Sequence, residues 1–131
     1  MSIVLDASVA VRVLLSAGDQ DEVLRRRVRD ASCHAPHLLD AEVGSVLRRR
    51  VAAGAIEPAS GAAALHAVGS LVDERYPHSS FAGAAWALRH NLSYYDALYV
   101  ALAARLGYPL LTADARLARA PGLPCAVELV D

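Results

Sequence analysis

Apolar positions along this chain fall into two patterns: short unbroken runs ended by a polar residue, and longer stretches repeating every three or four residues. "SIVLD" is a run of the first kind and predicts a buried strand over residues 2–5. "ASVAVRVLLSAG" follows as a helix closed by Gly18. Asp19, Asp21 and Glu22 then supply acids to the first turn of a second helix, which runs to about residue 30. "CHAP" predicts a second short strand, stopped by Pro36. The next helix spans about residues 37–53 and ends at Gly54. Another begins at Pro58, where proline suits a first turn, and runs to about residue 75. "YPHS" reads as a loop or a weak strand, and residues 81–90 as helical. A long helix over residues 95–106 is closed by Gly107. "PLLTA" is then a strand, "DARLARA" a short helix, and "CAVELV" the last strand.

Strands alternating with helices imply a parallel sheet covered on both faces, hence an α/β fold. The helix count is high for the number of strands. No internal repeat, low-complexity segment or linker divides residues 1–131, so one domain is expected. No apolar run approaches the roughly 18 residues of a membrane span. The N-terminus has no basic region and Asp6 interrupts its first apolar stretch, so a cytoplasmic protein without a signal peptide is expected.

Composition adds little until charge is mapped. Hydrophobic residues make up 55% of the chain, which excludes disorder. Cys33 and Cys125 lie in short apolar segments and read as buried thiols. His34 and His37 are the only close histidine pair, their spacing crosses a loop, and no other Cys or His group completes a zinc site. Net charge is −1, which argues against a general nucleic-acid binder. All 13 basic residues are arginine, with clusters at Arg25–Arg26–Arg27 and Arg48–Arg49–Arg50.

Four carboxylates stand in awkward places. Asp6 and Asp114 both lie just past the ends of apolar strands, the edge where α/β folds bind ligands. Asp96 is in the first turn of the long helix, whose remainder reads as almost wholly buried. Taken singly, these three could be helix caps or first-turn acids stabilised by the dipole. Glu42 resists that treatment: its helical neighbours are Leu38, Leu39 and Val46, so it lies on the apolar stripe of "HLLDAEVGSVLRRRV". A glutamate there needs a partner, either an arginine or a cation. At about 5 Å and an effective dielectric near 20, two unit charges repel by roughly 3 kcal/mol. If the four share one pocket, some stay protonated or a cation neutralises them. Oxygen ligands without His or Cys point to Mg²⁺ or Mn²⁺. The rest of the chain would then be mildly basic, which suits a metal-dependent enzyme acting on a polyanion.

These same residues carry a resemblance. "IVLDAS", "LLDAEV", "LSYYDALYVALA" and "LLTADARLA" resemble, in order, the signature blocks of PIN-domain ribonucleases, and most closely those of the VapC-type toxins of bacterial toxin–antitoxin pairs. The blocks run from residue 3 to about residue 118. The resemblance implies a Rossmann-like three-layer sandwich, with a central parallel sheet of four or five strands flanked by helices. It places the family's acidic positions on Asp6, Glu42, Asp96 and Asp114, and its polar positions on Ser8 and Thr112. Residues 72–80 depart from the family's usual apolar strand.

The activity so implied is a Mg²⁺-dependent (or Mn²⁺-dependent) endoribonuclease in which a water activated by the cation leaves a 5′-phosphate and a 3′-hydroxyl. Asp6 and Asp96 are expected as direct metal ligands, with Glu42 and Asp114 ligating directly or through water. Arg12, Arg48 and Arg49 are candidates for contacts to RNA phosphates, or equally for solvated helix faces. The resemblance further implies a homodimer and a small VapB-type antitoxin that binds over the active site. Two other classes compete: a catalytically inactive PIN-like RNA-binding or regulatory module, and a structure-specific DNA nuclease. A receiver-type phosphoacceptor domain would want a lysine near the phosphate, and the chain has none.

Overall fold

A computed structural model describes residues 1–131. The chain runs β1 (Ser2–Leu5), α1 (Ala7–Leu15), α2 (Glu22–Asp30), β2 (Ser32–Pro36), α3 (Leu38–Ala52), α4 (Pro58–Leu71) and β3 (Glu74–Tyr76). A 3₁₀ turn at His78–Ser80 leads to α5 (Ala82–Ala87), α6 (Tyr94–Leu106), β4 (Leu110–Thr112), α7 (Ala115–Ala118) and β5 (Val127–Leu129). The five strands form one all-parallel sheet in the order β3-β2-β1-β4-β5. No helix is long and apolar enough to cross a membrane.

Sheet order and chain order together locate the ligand-binding edge. From β1 the chain winds outward through β2 to β3, then returns to the other side of β1 to lay down β4 and β5. Right-handed crossovers accordingly place α1, α3 and α4, which pack on one another, on one face, and the α5–α6 pair on the other. The winding reverses between β1 and β4, and a crevice opens there beyond the strands' C-terminal ends. The apolar runs Ile3–Val4–Leu5 and Leu110–Leu111 are fully buried beneath it. In α6, residues 97–103 are buried without interruption, as expected of a helix that is apolar all round.

Most predicted elements stand within a few residues of their expected limits. The helix expected to reach residue 75 stops at Leu71. Val72 turns extended, and Asp73 then locks to β2: its N–H donates to the Cys33 carbonyl at 2.9 Å, and its carboxylate accepts from the Cys33 N–H at 2.7 Å. That clamp starts β3, an edge strand too polar to read as one. Its Arg75 grips the Asp40 carboxylate with two nitrogens, at 2.6 and 3.0 Å, and so ties β3 to α3. The helix expected over residues 81–90 is regular only over Ala82–Ala87. Both cysteines are free thiols; Cys33 is buried as expected, whereas Cys125 is only half-buried.

Candidate active site

Asp6 lies at the crevice floor, the first residue beyond β1. Its backbone is extended (φ −94°, ψ 176°) and its carboxylate caps α1 by accepting from the Val9 N–H at 3.2 Å. The capping role is therefore real, and it is only part of the picture. The Ser8 hydroxyl donates to Oδ1 at 2.5 Å, and the Thr112 hydroxyl donates to Oδ2 at 2.5 Å. Because Leu5 pairs with Leu111 in the sheet, Asp6 and Thr112 leave their strands side by side. Thr112 is wholly buried; its hydroxyl also accepts from the Asp114 N–H at 3.0 Å, and Ser8 accepts from the Ala113 N–H at 2.9 Å. Two short hydroxyl residues thus stitch the end of β4 to Asp6.

Asp114 caps α7 through the Arg116 N–H. Asp96 enters from the other face, in the first turn of α6, where its own N–H donates to the capping Ser93 hydroxyl at 3.1 Å. Glu42 comes from α3. It is paired with no arginine: the six ion pairs of the chain join Arg12–Asp21, Arg25–Glu22, Arg26–Glu22, Arg27–Glu128, Arg75–Asp40 and Arg116–Asp114. Its partner is Tyr99, whose phenol donates to Oε1 at 2.6 Å. That excludes the buried ion pair as an explanation of Glu42.

The electrostatics join the four acids. Burial pushes the Asp6 carboxyl above the usual carboxylate range; Ser8, Thr112 and Val9 pull it back, and the charge of Asp96 raises it further. Glu42 is raised chiefly by burial, with Asp96 and Asp6 adding to the rise and the Tyr99 hydrogen bond opposing it. Asp96 is raised by burial first and then by Asp114. Asp96 is the hub, acting on Asp6 and Glu42 and acted on by Asp114. No cationic side chain pairs with Asp6, Glu42 or Asp96. Only Asp114 has one, an exposed Arg116 at 3.4 Å.

No three His, Cys, Asp or Glu side chains converge into a ready-made metal cage. The donor set nonetheless fits one kind of cation. It is all oxygen and negatively charged, with the exposed Arg116 beside Asp114 as its one cationic neighbour. Mg²⁺ is held by one or two carboxylates while it keeps several of its waters, so it does not require a closed cage of side chains.

The chain resembles proteins of one family throughout its length. The PIN domain model matches residues 3–123. Ribonuclease VapC1 of Mycobacterium tuberculosis is 52% identical over 128 residues, covering 97% of this chain and 96% of that protein. This chain belongs to the PIN-domain family, in its VapC-type branch. Among its relatives, VapC ribonuclease Mb0985 of Mycobacterium bovis is 39% identical over 128 residues, 98% of each chain. PIN-fold likeness extends to solved structures: PAE2754 from Pyrobaculum aerophilum (TM-score 0.68, 21% identity, 90% of this chain and 83% of that one) and VapBC2 from Rickettsia felis bound to a DNA fragment from their promoter (TM-score 0.70, 14% identity, all of both chains).

The candidate arginines divide. Arg12 and Arg49 line a groove of about 580 Å³ together with Ser8 and Ala113, and so border the acidic crevice. Arg12 is partly committed, its Nε 3.3 Å from the Asp21 carboxylate and its Nη1 donating to the Val130 carbonyl. Arg48 lies elsewhere, on a more apolar groove with Leu47, Val51 and Leu65, because α3 turns it away from Arg49. Arg50, which the sequence did not single out, lines the groove with Arg12 and Arg49 in its place. Tyr99 was missed too. Its signal was a hydroxyl-bearing residue one turn after Asp96 within the otherwise apolar run of residues 97–103.

Proposed function

We propose that this PIN domain is a divalent-metal-dependent endoribonuclease, the toxin of a toxin–antitoxin pair, with Mg²⁺ as its ordinary cation and Mn²⁺ as a substitute. The observation that carries this reading is the set of buried or half-buried carboxylates at the switch point of the sheet without a cationic partner for Asp6, Glu42 or Asp96. The cation, when bound, supplies Lewis-acid activation of water and offsets charge on the phosphodiester.

The chain's own residues prepare for it. Ser8 and Thr112 hold the Asp6 carboxylate by both oxygens, so its orientation is set before any ligand arrives. Asp6 and Asp96 would hold the cation directly, with Glu42 and Asp114 holding it directly or through waters. Arg12, Arg49 and Arg50 line the groove that Ser8 also lines, and would contact RNA phosphates there. The antitoxin of such a pair would mask the site with a basic group, since an acidic hole in a mildly basic surface favours an inserted Arg or Lys. A homodimer of single PIN domains completes the assembly we propose.

The test is cleavage of RNA by protein freed of antitoxin, with the fragment ends identified. Cleavage restricted to Mg²⁺ or Mn²⁺ and leaving a 5′-phosphate and a 3′-hydroxyl is expected. Activity that persists in EDTA, or ends in 2′,3′-cyclic phosphates, would remove the metal from the mechanism. RNA binding without cleavage in either cation would favour the non-catalytic module instead.

A further inference from the structure

We infer that Tyr99 is a positioning residue of the acidic site, its phenol holding the Glu42 carboxylate in place against the repulsion of Asp6 and Asp96. The inference rests on the reading of Glu42 as an acid of the metal site. Tyr99 is 1% exposed and sits among the continuous buried run of α6. A phenol hydroxyl in such surroundings needs a hydrogen-bond partner, and its partner is Glu42 Oε1 at 2.6 Å. Packing alone does not call for that hydroxyl, since phenylalanine would fill nearly the same space in a buried run, residues 97–103, otherwise built of Ala, Leu and Val.

Glu42 does need it. Its side chain is half-buried, its charge is opposed by Asp6 and Asp96, and no arginine restrains it. Released from the phenol, the flexible glutamate would turn outward, where water solvates its charge. The geometry is economical in sequence terms. Tyr99 follows Asp96 by three positions on one helix, so α6 delivers an acid and the tether of a second acid toward the same crevice.

The test follows thermal stabilisation by Mn²⁺ and by Mg²⁺ in the full-length parent, Tyr99→Phe, Glu42→Gln and the double variant. Loss of a hydrogen bond that orients a metal-site carboxylate weakens metal affinity about 10- to 100-fold. Tyr99→Phe is expected to shift half-saturation upward by about that factor, and the double variant to match Glu42→Gln without further loss. A merely structural tyrosine would lower the metal-free melting temperature and leave half-saturation unmoved. That result, or losses that add in the double variant, overturns the inference. If Tyr99→Phe does not fold, Glu42→Asp tests the same bond by withdrawing the carboxylate one methylene from the phenol. The same weakening is expected of it, and parent-like binding overturns the inference. Metal stabilisation absent from the parent would sink the metal reading itself. Metal stabilisation weakened by Glu42→Gln but not by Tyr99→Phe would sink only the positioning role.

Discussion

Thr112→Val isolates the clamp on Asp6. Valine keeps the shape of threonine in a site that is 0% exposed, so the change removes one hydroxyl and its two hydrogen bonds. The bond donated to Asp6 is short and charge-assisted, worth about 1.5–3 kcal/mol net; the one accepted from the Asp114 N–H is neutral and worth about 1 kcal/mol. Burying a methyl in place of the hydroxyl returns about 1 kcal/mol. The expected net loss is about 1.5–3 kcal/mol. For a domain of this size that lowers the melting temperature by roughly 5–15 °C. The loss also depends on pH. The hydroxyl holds down a carboxyl that burial otherwise raises, so its removal costs more as the pH rises and Asp6 ionises, and least at low pH where Asp6 is protonated. Thr112→Ser keeps the hydroxyl and should keep cleavage near the parent level, while Thr112→Val loses 10-fold or more through a misoriented Asp6. Calorimetric melts at pH 8 and pH 4, with a cleavage assay at fixed Mg²⁺, decide the matter. A Thr112→Val protein that melts with the parent at pH 8 and cleaves at the parent rate would refute the clamp.

Other consequences follow from the crowded acids. Glu42→Gln removes a charge that repels Asp6 and Asp96, so the EDTA-treated variant should melt at or above the parent at pH 8 and gain less from Mg²⁺; a large loss of stability in EDTA would contradict this. With folded pKa values above the ordinary carboxylate range, Asp6, Glu42 and Asp96 favour folding while protonated and cost stability once ionised. Metal-free protein should therefore lose stability from these groups as pH rises from about 4 through their folded values, and saturating Mg²⁺ should flatten that decline. A pH series of denaturant melts with and without the cation measures it. Crosslinking of the antitoxin complex should place a basic side chain of the partner near Asp6 and Asp96, and contacts confined to distant surfaces would count against the masking proposal.

The fold was legible because its central elements are locally consistent. β1 and β4 are apolar runs closed by residues that begin helices, and α6 is apolar on every side. Edge strand β3 was not, because Glu74 and Arg75 face solvent or an ion partner rather than a second layer of core. The acids were legible for a related reason: Asp6, Asp114 and Asp96 sit at strand or helix ends, where position along the chain already fixes position in the fold. Glu42 was visible by its apolar neighbours, but whether its partner was an arginine or something else depended on a contact 57 residues away. The partner of Tyr99 was hidden for the same reason. The tyrosine's period matched the core of α6, and only the tertiary fold shows that its hydroxyl meets α3. For Arg48 and Arg50, adjacency along the chain misled, since successive helical residues point about 100° apart.

The most direct test of the acidic site as a cation site is diffraction from crystals grown with Mn²⁺ at a concentration that supports RNA cleavage. An anomalous peak in contact with the carboxylates of Asp6 and Asp96, and absent from the same crystals of Asp96→Asn, is the expected result. A map flat at those carboxylates under the same conditions, with cleavage intact, would contradict it.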